Sequence, residues 1–118
     1  MTAPVALVTG AGSGIGRAAA KALAAGGYSL VLAGRRRAPL EETAALLCSA
    51  ETLVVTADVA DKAEVDALFD AAVARFGRVD VLFNNAGLAL PATPLDEVTG
   101  DAWNALVSVN LTGAFHCI

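Results

Sequence analysis

The chain has 118 residues and a formal net charge of −4, and 56% of its residues are hydrophobic while 17% are charged. The apolar fraction excludes a disordered tail, the acidic balance argues against a nucleic-acid partner, which needs a basic face, and no apolar run reaches the ~18 residues of a membrane span. Because the amino terminus shows no secretory signal and Cys48 and Cys117 are too few for a disulfide framework or a zinc site, we expect one cytoplasmic domain without a metal.

Short apolar runs and amphipathic stretches alternate through the first half of the chain. Val5–Val8 is continuous and apolar, which is typical of a strand buried on both faces. A helix is predicted from Ile15 to the glycine pair at 26 and 27, with its inward face at positions 15, 18, 19, 22 and 23. The second strand is predicted at Leu30–Ala33. Pro39 can begin the second helix, whose inward stripe is predicted to be Leu40, Thr43, Ala44 and Leu47.

The second half of the chain continues the same alternation. The third strand is predicted at Leu53–Val55 and the fourth at Val79–Phe83. Between them, Asp61 and Glu64 have the spacing of a capping box, and the helix that follows ends at Gly77. Its inward stripe is predicted to be Val65, Leu68, Phe69, Ala72, Val73 and Phe76. After a loop from 84 to 98, a last helix is predicted near Thr99, with one face formed by Trp103, Leu106, Val107, Asn110, Leu111 and Ala114.

Alternating strands and helices of this size predict an α/β fold. Parallel strands need right-handed crossover helices, and these place helices on both faces of the sheet. We find no repeat, low-complexity tract or linker, so residues 1–118 are expected to form one unit. The final residues, 114 to 118, are apolar and carry no capping signal, from which we expect the chain to be part of a longer domain.

A glycine-rich turn joins the first strand to the first helix. Residues 9 to 16 read Thr-Gly-Ala-Gly-Ser-Gly-Ile-Gly. Glycines at such a junction allow a tight turn, bring amide N–H groups close to a pyrophosphate and let the helix pack against the sheet. The helix N-terminus adds unpaired donors and a partial positive charge. The segment therefore favours nucleotide binding, the alternative being a turn that binds nothing.

The spacing of these glycines identifies the kind of turn. It does not fit GxGxxG, since Ile15 stands where the third glycine would be, and it does not fit a P-loop, since no Lys-Ser/Thr follows. It fits TGxxxGxG through Thr9 and the glycines at 10, 14 and 16, and here the sequence resembles the classical short-chain dehydrogenase/reductase (SDR) family. The extended branch of that family uses TGxxGxxG, which Ser13 does not fit. The resemblance runs to Ile118 and implies a truncated, three-layer Rossmann-type sheet, doubly wound, with strand order 3-2-1-4.

Two further segments match the family. Residues 84 to 87, Asn-Asn-Ala-Gly, are similar to the NNAG signature beside the adenosine half of the cofactor, and small residues at the end of a parallel strand leave room for a ligand. Asp58-Val59 matches the position that meets the adenine edge, where a carboxylate accepts from an amine and an N–H donates to a ring nitrogen. Taken alone, the first segment is also compatible with an Asn-rich turn, and Asp58 with a turn or cap residue.

The end of the second predicted strand bears on the choice of cofactor. NAD-specific sites place an acidic residue there for the ribose 2′-OH, whereas arginine accommodates a 2′-phosphate. Residues 34 to 37 read Gly-Arg-Arg-Arg, and a guanidinium can hold a phosphate bidentately. We therefore expect Arg35 and Arg36 to favour NADP(H) over NAD(H), the competing interpretation being a solvated basic turn. The other basic position of the family's NADP-binding members, in the glycine turn, holds Ser13 here.

The last predicted helix carries one catalytic candidate. Asn110 lies within an apolar stripe, where an unpaired amide costs on the order of 1–3 kcal/mol. Its segment, Val-Asn-Leu-Thr-Gly, matches the family position of the asparagine that holds a water in a proton relay, the alternative being a structural asparagine. The family's substrate Ser and its Tyr-x-x-x-Lys follow on a strand and helix that this chain does not reach. The single tyrosine is Tyr28, and the residue four places after it is Leu32, not a lysine. The single histidine, His116, is expected to be frayed or at an interface. We therefore expect this chain to bind the cofactor without turning over a substrate.

The resemblance implies a role for each matched residue. The residues assigned to the pyrophosphate turn are Thr9, Gly10, Ser13, Gly14, Ile15 and Gly16; those assigned to the 2′-phosphate are Arg35 and Arg36; those assigned to the adenine are Asp58 and Val59; those assigned to the adenosine wall are Asn84, Ala86 and Gly87; and Asn110 is assigned to catalysis. The family implies hydride transfer to or from a small-molecule alcohol or carbonyl, and a homo-oligomer formed in part through the last helix. The alternative is a non-catalytic nucleotide-binding or interaction module. A binder of S-adenosylmethionine would leave the NNAG and Val-Asn segments unexplained.

Overall fold

The computed structural model describes residues 2–47 and 49–118 and shows one sheet of four parallel strands within this part of the chain. The strands are β1 (Val5–Thr9), β2 (Ser29–Gly34), β3 (Thr52–Thr56) and β4 (Val81–Phe83). Their order in the sheet is β3-β2-β1-β4, which confirms the predicted order and the α/β class. Cys48, considered above as a disulfide or zinc ligand, lies outside the described residues.

Helices connect the strands and continue beyond β4. They are α1 (Gly14–Ala25), α2 (Arg37–Ala45), α3 (Lys62–Phe76), α4 (Gly100–Val107) and α5 (Ala114–Cys117). A 3-10 turn at Leu95–Glu97 precedes α4, and a π-helical segment at Ser108–Gly113 joins α4 to α5. None of the helices in the described residues is both long and apolar enough to cross a membrane.

The core lies on both sides of β1, which occupies the middle of the sheet. β1 pairs in parallel with β2, with Leu7 opposite Val31, and with β4 on its other side. Ala6 and Val8 pack in the cluster formed with α1 and α2, whereas Val5 and Leu7 pack in the cluster formed with α3. All of β1 is therefore buried, as its continuous apolar run predicts.

The inward face of α1 differs from the predicted one. Ile15, predicted to face inward, is 72% exposed, whereas Gly16 and Ala20 are buried. The helix turns its small side chains toward the sheet because its first turn lies directly against the backbone of the glycine turn, where a Cβ on Gly16 would overlap the carbonyl oxygen of Gly10. The prediction followed the spacing of apolar positions along α1, whereas the close approach of helix and strand decides which residues face the sheet.

The inward face of the last helical stretch also differs. Val109, Gly113 and Cys117 are buried, whereas Trp103, Asn110 and Leu111 of the predicted face are exposed. The prediction assumed a regular helix from residue 99 onward. The π-helical segment holds more residues in each turn than an α-helix, so Leu111 and the residues after it point in other directions than a 3.6-residue period predicts, whereas Trp103 lies in α4, before this segment.

The amino end of α3 forms only half of the predicted capping box. Asp61 Oδ1 accepts from the N–H groups of Ala63, at 3.0 Å, and Glu64, at 3.4 Å. The Glu64 carboxylate accepts from Asp58 N at 3.2 Å rather than from Asp61 N. Gly77 ends the helix with a φ of 78°, as predicted. Most of the predicted stripe faces the sheet or the last helix, but Val73 is exposed.

Asp80 fixes the amino edge of the sheet, just before β4. Its Oδ2 accepts from Val5 N at 2.8 Å and from Arg78 Nε at 2.8 Å, and its Oδ1 accepts from Arg78 Nη2 at 2.7 Å. These hydrogen bonds, chiefly those from Arg78, hold the pKa of Asp80 below its usual value. A carboxyl group with a lowered pKa stabilises the fold above its unfolded pKa, and that contribution is lost as the pH falls through the folded value.

Replacing Asp80 with asparagine is therefore expected to lower the melting temperature at pH 7, because the neutral amide loses the charged interaction with Arg78. The difference in melting temperature between the variant and the wild-type chain is expected to narrow only in acid, below the usual carboxyl pKa of about 4, and to vanish as the pH falls through the lowered pKa of the folded state. Thermal unfolding followed by circular dichroism at several pH values measures both effects. A difference that stayed constant down to the acid limit would contradict the assigned role.

Candidate functional site

An open cavity of about 220 Å³ lies at the carboxyl edge of the sheet. Ligands of open parallel sheets bind at this edge, where the strand order reverses, and here that point lies between β1 and β4. The predicted cofactor residues that line the cavity are Thr9, Gly10, Ser13, Arg35, Arg36, Asp58, Val59, Ala86 and Gly87. The fold thus brings four separate segments to one place. The binding role of each residue stays a prediction.

The other predicted site residues lie beside the cavity rather than in its lining. These are Gly14, Ile15, Gly16, Asn84 and Asn110. Asn84 donates from Nδ2 to the carbonyl oxygen of Ala114 at 2.8 Å, so it connects the loop after β4 to the last helix.

The turn after β1 leaves the start of α1 open to a ligand. Gly10 and Gly14 have φ values of 64° and 53°, a backbone region that residues other than glycine rarely adopt. A Cβ on Gly14 would meet no atom within 4 Å, so the space in front of it is empty. Ser13 occupies the N-cap position, but its side chain makes no capping hydrogen bond. The first amide groups of α1 are therefore not occupied by a cap and can donate to an anion.

The turn after β1 and the loop after β4 are held together by Thr9. Its Oγ1 accepts from the N–H groups of Asn85 and Ala86, each at 2.9 Å. The Asn85 amide donates in return to the carbonyl oxygens of Thr9, at 3.3 Å, and Gly10, at 3.4 Å. Asn85 belongs to the NNAG segment but is not among the predicted site residues. The motif was the signal for it, but only the fold shows which segment it contacts.

The three arginines after β2 differ in their surroundings. Arg35 and Arg36 line the cavity, and within the described residues neither forms an ion pair. Arg37 begins α2, and its Nη1 lies 3.0 Å from Glu41 Oε1 in an i,i+4 pair. The first two guanidinium groups are thus available to a ligand, and the third is already paired with a carboxylate.

The loop after β3 is held from three directions. Asp58 N donates to Glu64 at 3.2 Å, and Asp58 Oδ1 accepts from Ala60 N at 3.0 Å. The carbonyl oxygen of Val59 lies 2.8 Å from His116 Nδ1, which must carry the hydrogen because a carbonyl oxygen only accepts. His116 is therefore not frayed, since it contacts the cavity loop, and that part of the expectation is wrong; its place at an interface stays a prediction.

Asn110 binds the loop after β4 through both of its polar atoms. Oδ1 accepts from Leu88 N at 2.7 Å, and Nδ2 donates to the carbonyl oxygen of Leu88 at 2.8 Å. A Cβ on Gly87 would lie 3.2 Å from the same Oδ1, so the asparagine lies directly behind the cavity wall. Asn110 also lies in the π-helical segment, and such segments occur frequently at functional sites. Its part in a proton relay stays a prediction.

Comparison with known proteins identifies relatives over nearly the whole chain. A family model described as short chain dehydrogenase matches residues 4–118. Levodione reductase from Leifsonia aquatica is 43% identical over 115 residues, an alignment that covers 94% of this chain and 43% of the relative. The chain thus spans less than half the length of that relative.

Solved structures with the same fold include proteins complexed with nicotinamide cofactors. A levodione reductase superposes with a TM-score of 0.94 at 42% identity, covering 97% of this chain and 46% of that one. A 3-ketoacyl-(acyl-carrier-protein) reductase from Brucella melitensis, complexed with NADH, has a TM-score of 0.92 at 38% identity, and the match covers 97% of this chain and 46% of that one. An alcohol dehydrogenase from Thermococcus sibiricus, complexed with 5-hydroxy-NADP, has a TM-score of 0.93 at 35% identity, and the match covers 98% of this chain and 50% of that one.

Proposed function

The chain belongs to the short-chain dehydrogenase/reductase family, and from this premise we propose that residues 1–118 form the NADP(H)-binding part of an oxidoreductase. The cofactor supplies a hydride equivalent that is exchanged with the carbonyl or alcohol carbon of a small-molecule substrate. The observation that carries the proposal is that segments following all four strands line one cavity. The names of the relatives, a levodione reductase and a 3-ketoacyl-(acyl-carrier-protein) reductase, support a carbonyl as the reacting group.

The residues around the cavity fit the parts of a dinucleotide. Gly12 and Ser13 of the turn line the cavity, and the amides at the start of α1 carry no side-chain cap, an arrangement that suits the pyrophosphate. The Asp58 carboxylate can accept from the exocyclic amine of adenine, and the Val59 N–H can donate to a ring nitrogen. Ala86 and Gly87 have little side-chain volume and would form the wall beside the adenosine.

The proposed preference for NADP(H) rests on Arg35 and Arg36. Both line the cavity at the end of β2, where an acidic residue would repel a 2′-phosphate. Guanidinium groups bind phosphate by charge-assisted and often bidentate hydrogen bonds. Because neither arginine forms an ion pair within the described residues, a phosphate would not have to displace a carboxylate from them.

Replacing Arg35 and Arg36 together with alanine is expected to raise the Kd for NADPH by about thirtyfold or more, since each charged hydrogen bond contributes ~1.5–3 kcal/mol. The Kd for NADH is expected to change by less than about threefold, because NADH has no 2′-phosphate. Titration of the 118-residue chain, followed by coenzyme fluorescence, measures both constants. Arg37→Ala is the matched control, since Arg37 is paired with Glu41, and it should leave both constants nearly unchanged. Equal losses for the two coenzymes would refute the preference.

We further propose that the 118-residue chain binds coenzyme but does not turn over substrate by itself. Tyr28 is its single tyrosine and directly precedes β2, so it lies at the opposite edge of the sheet from the cavity. Asn110 is the residue we assign to catalysis in the whole domain.

Self-association is proposed through the last helical stretch, where Leu111 is 69% and Phe115 70% exposed.

A further inference from the structure

Arg17 has contacts that the cofactor proposal does not use. It lies in the first turn of α1, where a positive charge opposes the helix dipole. A residue that works against its local structure is often held there by tertiary contacts with a function. In this case the side chain extends from α1 to α2 and contacts the two segments that we assign to phosphate binding.

The contacts form a network of two side chains. Arg17 Nη2 donates to the carbonyl oxygens of Gly12, at 2.7 Å, and Pro39, at 3.2 Å, and Arg17 Nε donates to Thr43 Oγ1 at 2.9 Å. The Thr43 hydroxyl, which is completely buried, donates to the carbonyl oxygen of Ala11 at 2.7 Å. The contact of Arg17 with Glu42 is longer, at 3.4 Å, and the Glu42 side chain is mostly exposed, so it adds little.

These contacts join the two parts of the cavity that would hold phosphate groups. Gly12 belongs to the turn after β1, and Pro39 follows closely after Arg36. The two segments touch, because a Cβ on Gly12 would lie 2.9 Å from the Cβ of Pro39. The carbonyl oxygens of Gly12 and Ala11 accept from the Arg17 guanidinium and the Thr43 hydroxyl. Because these two oxygens are held by donors, they do not turn toward an incoming phosphate and repel it.

We propose that Arg17 and Thr43 form a positioning pair that holds the pyrophosphate turn and the 2′-phosphate loop in one fixed geometry, so that the phosphate groups of NADP(H) are bound jointly. The inference rests on the proposed NADP(H) function and adds to it a source of selectivity outside the cavity. NADPH uses both segments through phosphate groups, while NADH uses only the turn. Loss of the pair is therefore expected to weaken NADPH binding more than NADH binding.

The test compares four variants by titration with NADPH and NADH. Arg17→Met and Thr43→Val remove the donors with little change in size, and they are expected to raise the Kd for NADPH about tenfold and that for NADH about threefold or less. Arg17→Lys keeps the charge but lacks the planar fork, so it is expected to resemble Arg17→Met. Thr43→Ser keeps the hydroxyl and is expected to stay within about twofold of the wild-type chain. Equal losses for both coenzymes, or a Thr43→Ser variant as weak as Thr43→Val, would overturn the proposal.

A double-mutant cycle tests the coupling itself. In the Thr43→Val background, Arg35→Ala is expected to cost less NADPH affinity than in the wild-type background, because the loop is already displaced; strict additivity would refute the proposal. If the Arg17 and Thr43 variants all fail to fold by circular dichroism, the pair only stabilises the chain and the proposal is also refuted. A wild-type chain that binds neither coenzyme would refute the proposed function, whereas a wild-type chain that prefers NADPH, with the same preference in every variant, refutes this inference alone.

Discussion

Gly16→Ala is expected to abolish coenzyme binding and to lower the free energy of unfolding by about 3 kcal/mol. The added Cβ would overlap the carbonyl oxygen of Gly10 and lie 2.8 Å from Gly10 C and 2.8 Å from Asn85 Nδ2. Two of these atoms belong to the backbone, so no side-chain rotation relieves the overlap. The turn after β1 must move away from α1, and this movement displaces the amide groups assigned to the pyrophosphate. Denaturant unfolding and titration with NADPH measure the two effects separately.

Gly100→Ala is the matched control for this prediction. Gly100 also lies in the first turn of a helix, but a Cβ there would meet no atom within 4 Å. The substitution is expected to leave coenzyme binding unchanged and to stabilise the chain slightly, by up to about 1 kcal/mol, because alanine favours the helix. If Gly16→Ala behaved in the same way as Gly100→Ala, the close contact between α1 and the turn would not exist in solution.

Thr9→Val is expected to lower the free energy of unfolding by about 2–4 kcal/mol, since it leaves two amide groups without an acceptor at ~1–3 kcal/mol each. Thr9 is 0% exposed, and its Oγ1 accepts from Asn85 N and Ala86 N at 2.9 Å each. Valine has nearly the same shape and also favours the strand, so packing and strand propensity change little. The loop after β4 should then separate from β1, and coenzyme affinity should fall because Ala86 lines the cavity.

Thr9→Ser is the control that isolates the hydroxyl. Serine retains the acceptor and loses one methyl group, so its cost is expected to be close to that of a buried methyl group, about 1 kcal/mol. Hydrogen exchange of the Asn85 and Ala86 amides gives a local measurement, since both should exchange faster in Thr9→Val and remain protected in Thr9→Ser. A serine variant as unstable as the valine variant would show that the methyl group, and not the hydroxyl, holds the loop.

The order of elements and the motif segments could be predicted because they depend on short stretches of chain. Continuous apolar runs predicted the first three strands, the fourth was predicted at Val79–Phe83 and is formed by Val81–Phe83, and the left-handed glycine that ends α3 was predicted at Gly77. The glycine turn could be predicted in the same way, since the left-handed conformations at Gly10 and Gly14 require glycine.

The contacts between segments could not be predicted in this way. Glu64 accepts from Asp58 N and not from the nearby Asp61 N, and His116 contacts Val59 from the far end of the chain. Neither contact leaves a periodic signal, because each depends on where a side chain ends after several helices and strands have packed. The same holds for Arg17, whose bond to Thr43 spans 26 positions of the sequence.

The resemblance to a known family implied the strand order, whereas the amino-acid sequence by itself determined the α/β class and the four segments that meet at the carboxyl edge of the sheet. Those features follow from local hydrophobic patterns and from backbone conformations that only certain residues adopt. Only the tertiary structure decided which helix faces turn inward, as Gly16 and Val109 show, and which side chains join the segments around the cavity. The reason is steric. How closely a helix approaches a strand depends on the atoms of both elements, whereas the periodic pattern of a segment describes that one element alone.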